Sequence, residues 1–266
     1  SDEGRNLASG VTALMTGIAY NASAKIAEVM GAFDGFEKNR EPFMKVMNMH
    51  RDAAHRIEGK GGLEVMMNAA KEEWDAVVEQ DSFRNAQATL IAPTGTIGFM
   101  MDVDTTGIEP LLNLASDKGL SGGGKLEIVA KSVEPGLRNL DYSENQIKDI
   151  MAYIVEKDGE GMYTHPWIDE NAPHVKEEHR GIFSTALGAN DLSAEAHLGM
   201  MAAVQPFLSG AISKTVNLPR GTTTEQIKDV YTRAHQIGLK SVALYVDGSK
   251  GIQPVRVRER EEETKL

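Results

Sequence analysis

Ala88-Thr89-Leu90-Ile91-Ala92-Pro93-Thr94-Gly95-Thr96-Ile97 is the stretch on which the reading of this chain turns. Its first four residues form a short apolar run with β-branched members, stopped by Ala92-Pro93. That pattern predicts a buried strand running into a loop. Gly95 has no Cβ, so the backbone there can approach an anion closely. Thr94 and Thr96 add hydroxyl donors to the backbone N–H groups. Such a loop can cradle a phosphate as a nest of amides, without any cation. The same residues also suit a strand-ending turn whose threonines cap backbone groups. Spacing alone leaves both readings open, because Gly-x-x-x-x-Gly-Lys-Ser/Thr occurs nowhere in the chain.

Upstream of this stretch, residues 1–80 read as helical. Leu7, Val11, Leu14, Met15, Ile18 and Ala22 recur at helical spacing and predict a first helix reaching about Val29. A second helix is expected from Glu41 to Ile57, with Phe43, Val46, Met47, Ala54 and Ile57 inward. A third is expected from Leu63 to Val78, with Met66, Ala70, Trp74 and Val77 on one side.

Downstream, Pro93–Pro110 reads as a loop and Gly122-Gly123-Gly124 as a turn. Ser143 with Gln146 forms a capping box for a helix to Lys157. Helices are also expected at Ala194–Val204 and after Thr222 with Glu225. The second of these carries Ile227, Val230, Tyr231, Ala234 and Ile237. Ile182–Ala186, Ala211–Val216 and Ser241–Val246 read as strands. The fold class is therefore α/β and helix-rich, with few strands for a closed barrel. The expected organisation is one domain over residues 1–252, helical to 80 and α/β from 81, then a charged tail over 253–266.

Composition narrows the function classes. The chain has 266 residues, 41% of them hydrophobic, and a formal net charge of -11. An acidic surface disfavours bulk nucleic-acid binding. No apolar run is long enough to span a bilayer, and Ser1-Asp2-Glu3-Gly4-Arg5 lacks a signal-peptide core, so no membrane association and a cytoplasmic location are expected. There is no cysteine, hence no thiolate metal site and no thiyl radical on this chain.

Other constellations are weaker. Asp102, Asp104 and Glu109 could bind a divalent cation or act in acid–base chemistry, but such acids more often cap turns and helix starts. Gly119-Leu120-Ser121-Gly122-Gly123 fits the hydrolase nucleophile pattern, yet Ala115-Ser116-Asp117-Lys118 is a poor strand to precede it. His50 with His55, and His174 with His179, lack the four-residue spacing of a zinc helix. His165 carries no ligand pattern either. Met100, Met101, Met200 and Met201 read as core filler.

A resemblance adds to this reading. Asn85-Ala86-Gln87-Ala88-Thr89-Leu90-Ile91-Ala92-Pro93-Thr94-Gly95-Thr96-Ile97-Gly98-Phe99-Met100-Met101-Asp102, continuing through Asp104-Thr105-Thr106-Gly107-Ile108-Glu109-Pro110, resembles the large-subunit barrel of adenosylcobalamin-dependent ribonucleotide reductases. Ala202–Asn217 and Ala243–Lys250 are further matching blocks, and the likeness covers about residues 1–250. The resemblance implies the C-terminal part of a ten-stranded α/β barrel, as a partial barrel or open sheet. It implies that Pro93, Thr94, Gly95, Thr96 and Ile97 hold the substrate's phosphates. Adenosylcobalamin and a ribonucleoside di- or triphosphate are implied with it. Ser213, Lys214 and Asn217 lie in a matching block without an assigned role, and a packing role is expected for Tyr245.

Departures from the family pattern concern sulfur. The finger loop with its radical cysteine lies upstream of the match, Val103 stands where relatives are expected to carry cysteine, and Ser184 falls in another such segment. The reaction needs a thiyl radical and a thiol pair, which valine and serine cannot replace. Two readings follow. One is a split or truncated reductase piece, inactive alone, completed by a partner chain carrying the upstream barrel half, or else a homo-oligomer. The other is a detached, non-catalytic descendant serving as a nucleotide-binding or protein-interaction module.

Overall fold

Helix α1 (Asp2–Met30) starts where the sequence supplies a cap: Ser1 Oγ accepts the Gly4 N–H at 3.1 Å, and Asp2 and Glu3 occupy the first turn. The fold is a computed structural model that describes residues 1–59, 62–119, 124–188 and 192–249. Its chain divides into two compact units. Among the described residues, the first comprises those within Ser1–Pro93, Ala194–Val216 and Thr222–Leu244; the second comprises those within Thr94–Ser193, Asn217–Gly221 and 245–249.

In the first unit, α1 packs on α3 (Leu63–Val78) and on α8 (Ala194–Val204), with α2 (Phe36–His55) against α3. The face of α1 that packs is the small one. Gly10, Ala13, Thr16, Gly17 and Ala24 are buried, while Leu7, Val11, Met15 and Ile18 are exposed. The apolar residues that set the helical period thus lie mostly on the outer side, while Leu14 packs against the core. Close approach explains why: a Cβ on Gly10 would lie 2.6 Å from Met66 Cε, and one on Gly17 would lie 3.0 Å from Glu73 Cβ. Small residues let the two backbones draw together, so Trp74 Nε1 donates to Ala13 O at 2.9 Å. Around that bond, Tyr20, Phe36, Phe43 and Phe83 pack mostly edge to face, with Tyr20 and Phe83 centroids 5.8 Å apart.

Helix α3 keeps its expected bounds but buries Met67 in place of Met66. Helix α2 begins earlier than expected and contains Pro42, with a non-helical Asn39 upstream of it. Proline lacks the N–H and crowds the preceding turn, which kinks the helix there. Its inner face is Phe36, Met47, His50, Ala53 and Ala54, whereas Val46 is exposed.

The second unit contains short α4 (Gly95–Met100), the hairpin β1 (Ala115–Gly119) and β2 (Lys125–Val129), α5 (Val133–Asn139), α6 (Glu144–Ile154) and α7 (Glu177–Arg180). The Ser143/Gln146 capping box forms as expected. Leu137, Ile147, Ile150, Ile154 and Ile168 make its core. Three expectations fail here. Ala115–Lys118 is a strand, paired antiparallel with β2 in the register Asp117 to Glu127. Ile182–Ala186 is not; it begins in a 3-10 turn, Gly181–Phe183. Pro93–Pro110 is not wholly loop, since α4 lies within it.

Helix α9 (Thr224–Gln236) is capped by Thr223 with Gln226, one residue later than expected, and Tyr231 on it is exposed. Strand β3 (Thr215–Leu218) pairs with β4 (Ala243–Val246), so among the described residues there are two two-stranded sheets and no closed barrel. Residues 120–123, which hold Ser121 of the Gly-x-Ser-x-Gly pattern and most of the glycine turn, and the tail from 253 lie outside the described residues.

Candidate functional site

The residues before the Pro93–Ile97 loop are extended, but they are not the buried strand the pattern predicts. Leu90 is 59% exposed, and Ile91 forms a single parallel bridge to Ile212. Its N–H donates to Ala211 O at 3.2 Å, and its carbonyl accepts from Ser213 N–H at 2.8 Å. The segment is paired on the side facing 209–213, which is enough to keep it extended without covering Leu90.

After Pro93 the backbone turns sharply. Thr94 adopts φ +46°, a left-handed conformation that a β-branched residue seldom takes. Two hydrogen bonds hold it there. Thr94 O accepts from Gly98 N–H at 2.7 Å, which opens α4, and Thr94 Oγ1 accepts from Gly107 N–H at 2.7 Å. The hydroxyl keeps its own proton free to donate. Gly95, Thr96 and Ile97 form the first turn of α4, whose N–H groups have no partner inside the helix. All five residues from Pro93 to Ile97 are exposed. A Cβ at Gly95 would meet nothing within 4 Å, so packing does not demand glycine; the space in front of the loop is open.

The nearby acids are committed to structure. Asp104 accepts from Lys131 N–H at 3.0 Å and Ser132 N–H at 2.8 Å, just before α5; burial raises its pKa, but the Ser132 hydroxyl, these two amides and the Lys131 charge together hold the carboxyl below the usual range. Asp102, itself at φ +57°, pairs with Lys131. Glu109 lends its carbonyl to the Thr105 hydroxyl. Among the described residues no three metal-ligating side chains gather, so the cation reading of these acids finds no site. Met100 and Met101 are exposed beside the loop, unlike the buried Met201. Val103 is exposed too.

The histidines are mostly paired locally. His55 meets Asp75 and His174 meets Asp149, each at 2.9 Å; His179 meets the Tyr142 hydroxyl at 2.8 Å; and His165 stacks on Tyr153. His50 is buried against Trp74 with Nδ1 on Pro206 O, so Nδ1 carries the proton, and burial pushes its pKa down. Sequence reasoning missed one buried group, His197, and gave no role to another, Lys214. His197 on α8 has no partner for either ring nitrogen among the described residues, and burial, helped by Lys214, pushes it down to about 4. Lys214 is itself buried and donates to Thr215 O at 3.0 Å. The segment around His197 carries no ligand spacing that could single it out, and the block holding Lys214 gives no sign that the ammonium is buried.

The chain is similar to known proteins over nearly its whole length, the Pro93–Ile97 segment included. The family described as "Ribonucleotide reductase, barrel domain" matches residues 1–245. A vitamin B12-dependent ribonucleotide reductase of Rhodopirellula baltica is 45% identical over 98% of this chain and 25% of its own length. Relatives of the same name from Streptantibioticus cattleyicolor and Streptomyces avermitilis are 44% and 45% identical, over 43% and 27% of their lengths. The chain thus spans between 25% and 43% of the length of these relatives. No described helix is long and apolar enough to cross a membrane. With a family match over nearly its whole length, this chain belongs to the ribonucleotide reductase barrel family.

Proposed function

We propose that Pro93–Ile97 binds the phosphates of a ribonucleoside di- or triphosphate, and that the chain serves as the substrate-holding part of a vitamin B12-dependent ribonucleotide reductase. One observation carries this reading: Thr94 is held at positive φ by two 2.7 Å hydrogen bonds, directly before an exposed turn of outward N–H groups. Strain at an exposed loop residue persists only where surrounding contacts enforce it, and such positions cluster at ligand clamps. The Thr94 and Thr96 hydroxyls and the Gly95–Ile97 amides would donate to phosphate oxygens. Neutral donors suit a chain whose overall charge is negative.

The ten-stranded barrel of the family would be completed by polypeptide outside these 266 residues, which would also supply the radical cysteine and the thiol pair. Adenosylcobalamin would supply the radical when bound. The chain does not by itself fit that chemistry: it has no thiol to receive the radical. No catalytic step is therefore assigned to this chain. The absence of cysteine also favours a second reading, a non-catalytic descendant that keeps nucleotide binding alone.

Calorimetric titration with CTP and CDP tests the site. Wild-type chain should bind, and Thr94→Ala with Thr96→Ala should weaken binding at least about tenfold, or ~1.4 kcal/mol. Unchanged affinity in the double variant rules out the loop. Ribonucleotide reduction by the purified chain with adenosylcobalamin would overturn the claim that its sulfur chemistry comes from elsewhere.

A further inference from the structure

The extended segment that delivers Pro93 is anchored through one hydroxyl and one cation. Ser209 Oγ accepts the N–H groups of Ala88 and Thr89, each at 2.9 Å, and donates to Thr89 O at 3.0 Å. Its acceptor and donor capacity is thereby spent on two consecutive residues. The following glycine lies against the same segment: a Cβ on Gly210 would stand 2.7 Å from Leu90 Cβ and 3.1 Å from Thr89 O. What fixes the Leu208–Gly210 turn is Lys240. Its Nζ donates to the carbonyls of Leu208, Ser209 and Gly210 at 2.9, 2.9 and 3.3 Å.

Three carbonyl dipoles aimed at one point repel each other unless a cation lies between them. An ammonium with three donors matches three acceptors. The backbone of Lys240 also reaches Gln205 Oε1 at 3.3 Å, and Gln205 Nε2 returns to Gly210 O at 3.2 Å.

We propose that Lys240 is a positioning residue for the phosphate loop, setting the backbone of Ala88–Ile91 through the 208–210 carbonyls and the Ser209 hydroxyl. The role rests on the phosphate reading of Pro93–Ile97. Burial lowers the pKa of the ammonium and no neighbouring acid raises it, as expected for a cation held by neutral oxygens. Lys240 also lines the cavity of about 680 Å³ with Ser209 and Pro206. A small amine can therefore reach the place its side chain vacates.

The test uses the full chain with Lys240→Ala, Lys240→Met and Ser209→Ala, reading amide hydrogen exchange and CTP affinity. Each variant should speed exchange at Ala88 and Thr89 by about tenfold or more while α3 keeps its protection. CTP binding should weaken by about tenfold, or ~1.4 kcal/mol. Ethylammonium should restore both properties to Lys240→Ala and neither to Ser209→Ala; a general packing defect would not show that split. Lys240→Met keeps the aliphatic stem, so the measurement survives if the alanine variant does not fold. If wild type and Lys240→Met bind CTP equally and exchange is unchanged, the positioning role is wrong and the phosphate reading stands. Failure of ethylammonium to rescue a folded Lys240→Ala also overturns the role. If wild type does not bind CTP, the phosphate reading falls, and the functional part of this role falls with it.

Discussion

Thr94 sets two effects against each other at a single residue. Its positive φ costs about 1–2 kcal/mol in a β-branched residue, and its hydroxyl bond to Gly107 returns about 1 kcal/mol. Thr94→Gly should therefore leave thermal stability within about 1 kcal/mol of wild type, while Thr94→Ala should lose about 1 kcal/mol. Both should lose phosphate affinity. A melting curve for each variant, set beside its CTP titration, separates strain from binding. His197 gives a pH dependence of definite sign. Its folded pKa of about 4 lies below the unfolded value near 6.5, so the unfolded chain binds the extra proton. Stability present above about pH 6.5 should fall as pH drops toward 4, by roughly 3 kcal/mol for this residue. His50, also pushed down by burial, adds in the same direction. His197→Leu should flatten that part of a denaturant-midpoint profile between pH 4 and 6.5; an unchanged profile would mean that His197 is not the titrating group.

The β1–β2 hairpin shows why an element can form against its own sequence. Asp117 and Glu127 stand directly opposite each other, a like-charge pair that disfavours pairing. Lys157 lies between them, 3.1 and 3.0 Å from the two carboxylates, and Tyr163 donates to both. The lysine holds Glu127 below the usual carboxylate range, and burial with Glu127 beside it pushes the Tyr163 hydroxyl up to about 12. Lys157→Met should raise amide exchange in β1 and β2 without changing α6; equal protection in the variant would show the hairpin does not depend on it. Because the deciding lysine is forty residues from Asp117, Ala115–Lys118 read as a poor strand. Helix α1 misled in the opposite way. Its period was legible and its buried face was not, because glycines and alanines, weak in any hydrophobicity count, take the packed side. Gly17→Leu should cost roughly 1–3 kcal/mol by overpacking against α3, whereas Ile18→Gln on the exposed side should stay within about 0.5 kcal/mol. Urea midpoints distinguish the two, and the opposite order would reverse the assignment of faces.

Across the molecule, what the sequence conveyed depended on the range of the interaction. Local signals came through: the three long N-terminal helices, the Ser143 cap, and a turn after Pro93 able to present amides. The family itself was legible in the blocks 85–110 and 202–217. Contacts distant in sequence were not legible, among them Gly107 on Thr94, Asp104 before α5, and Lys240 under Ser209. Each brings together residues whose separation gives no period to read. The outward stripe of α1 has a consequence at this scale as well. Between Arg5 and Lys25 the helix carries no charge at all, so Leu7, Val11, Met15 and Ile18 present an oily ridge to water on a molecule of net charge -11. At low ionic strength, mutual repulsion keeps copies apart; at 1 M salt the Debye length shrinks to about 3 Å and that protection is gone. Light scattering should therefore rise with added salt, and Val11→Glu with Ile18→Glu should suppress the rise. On this expectation the ridge ties the chain's storage life to the conductivity of its buffer.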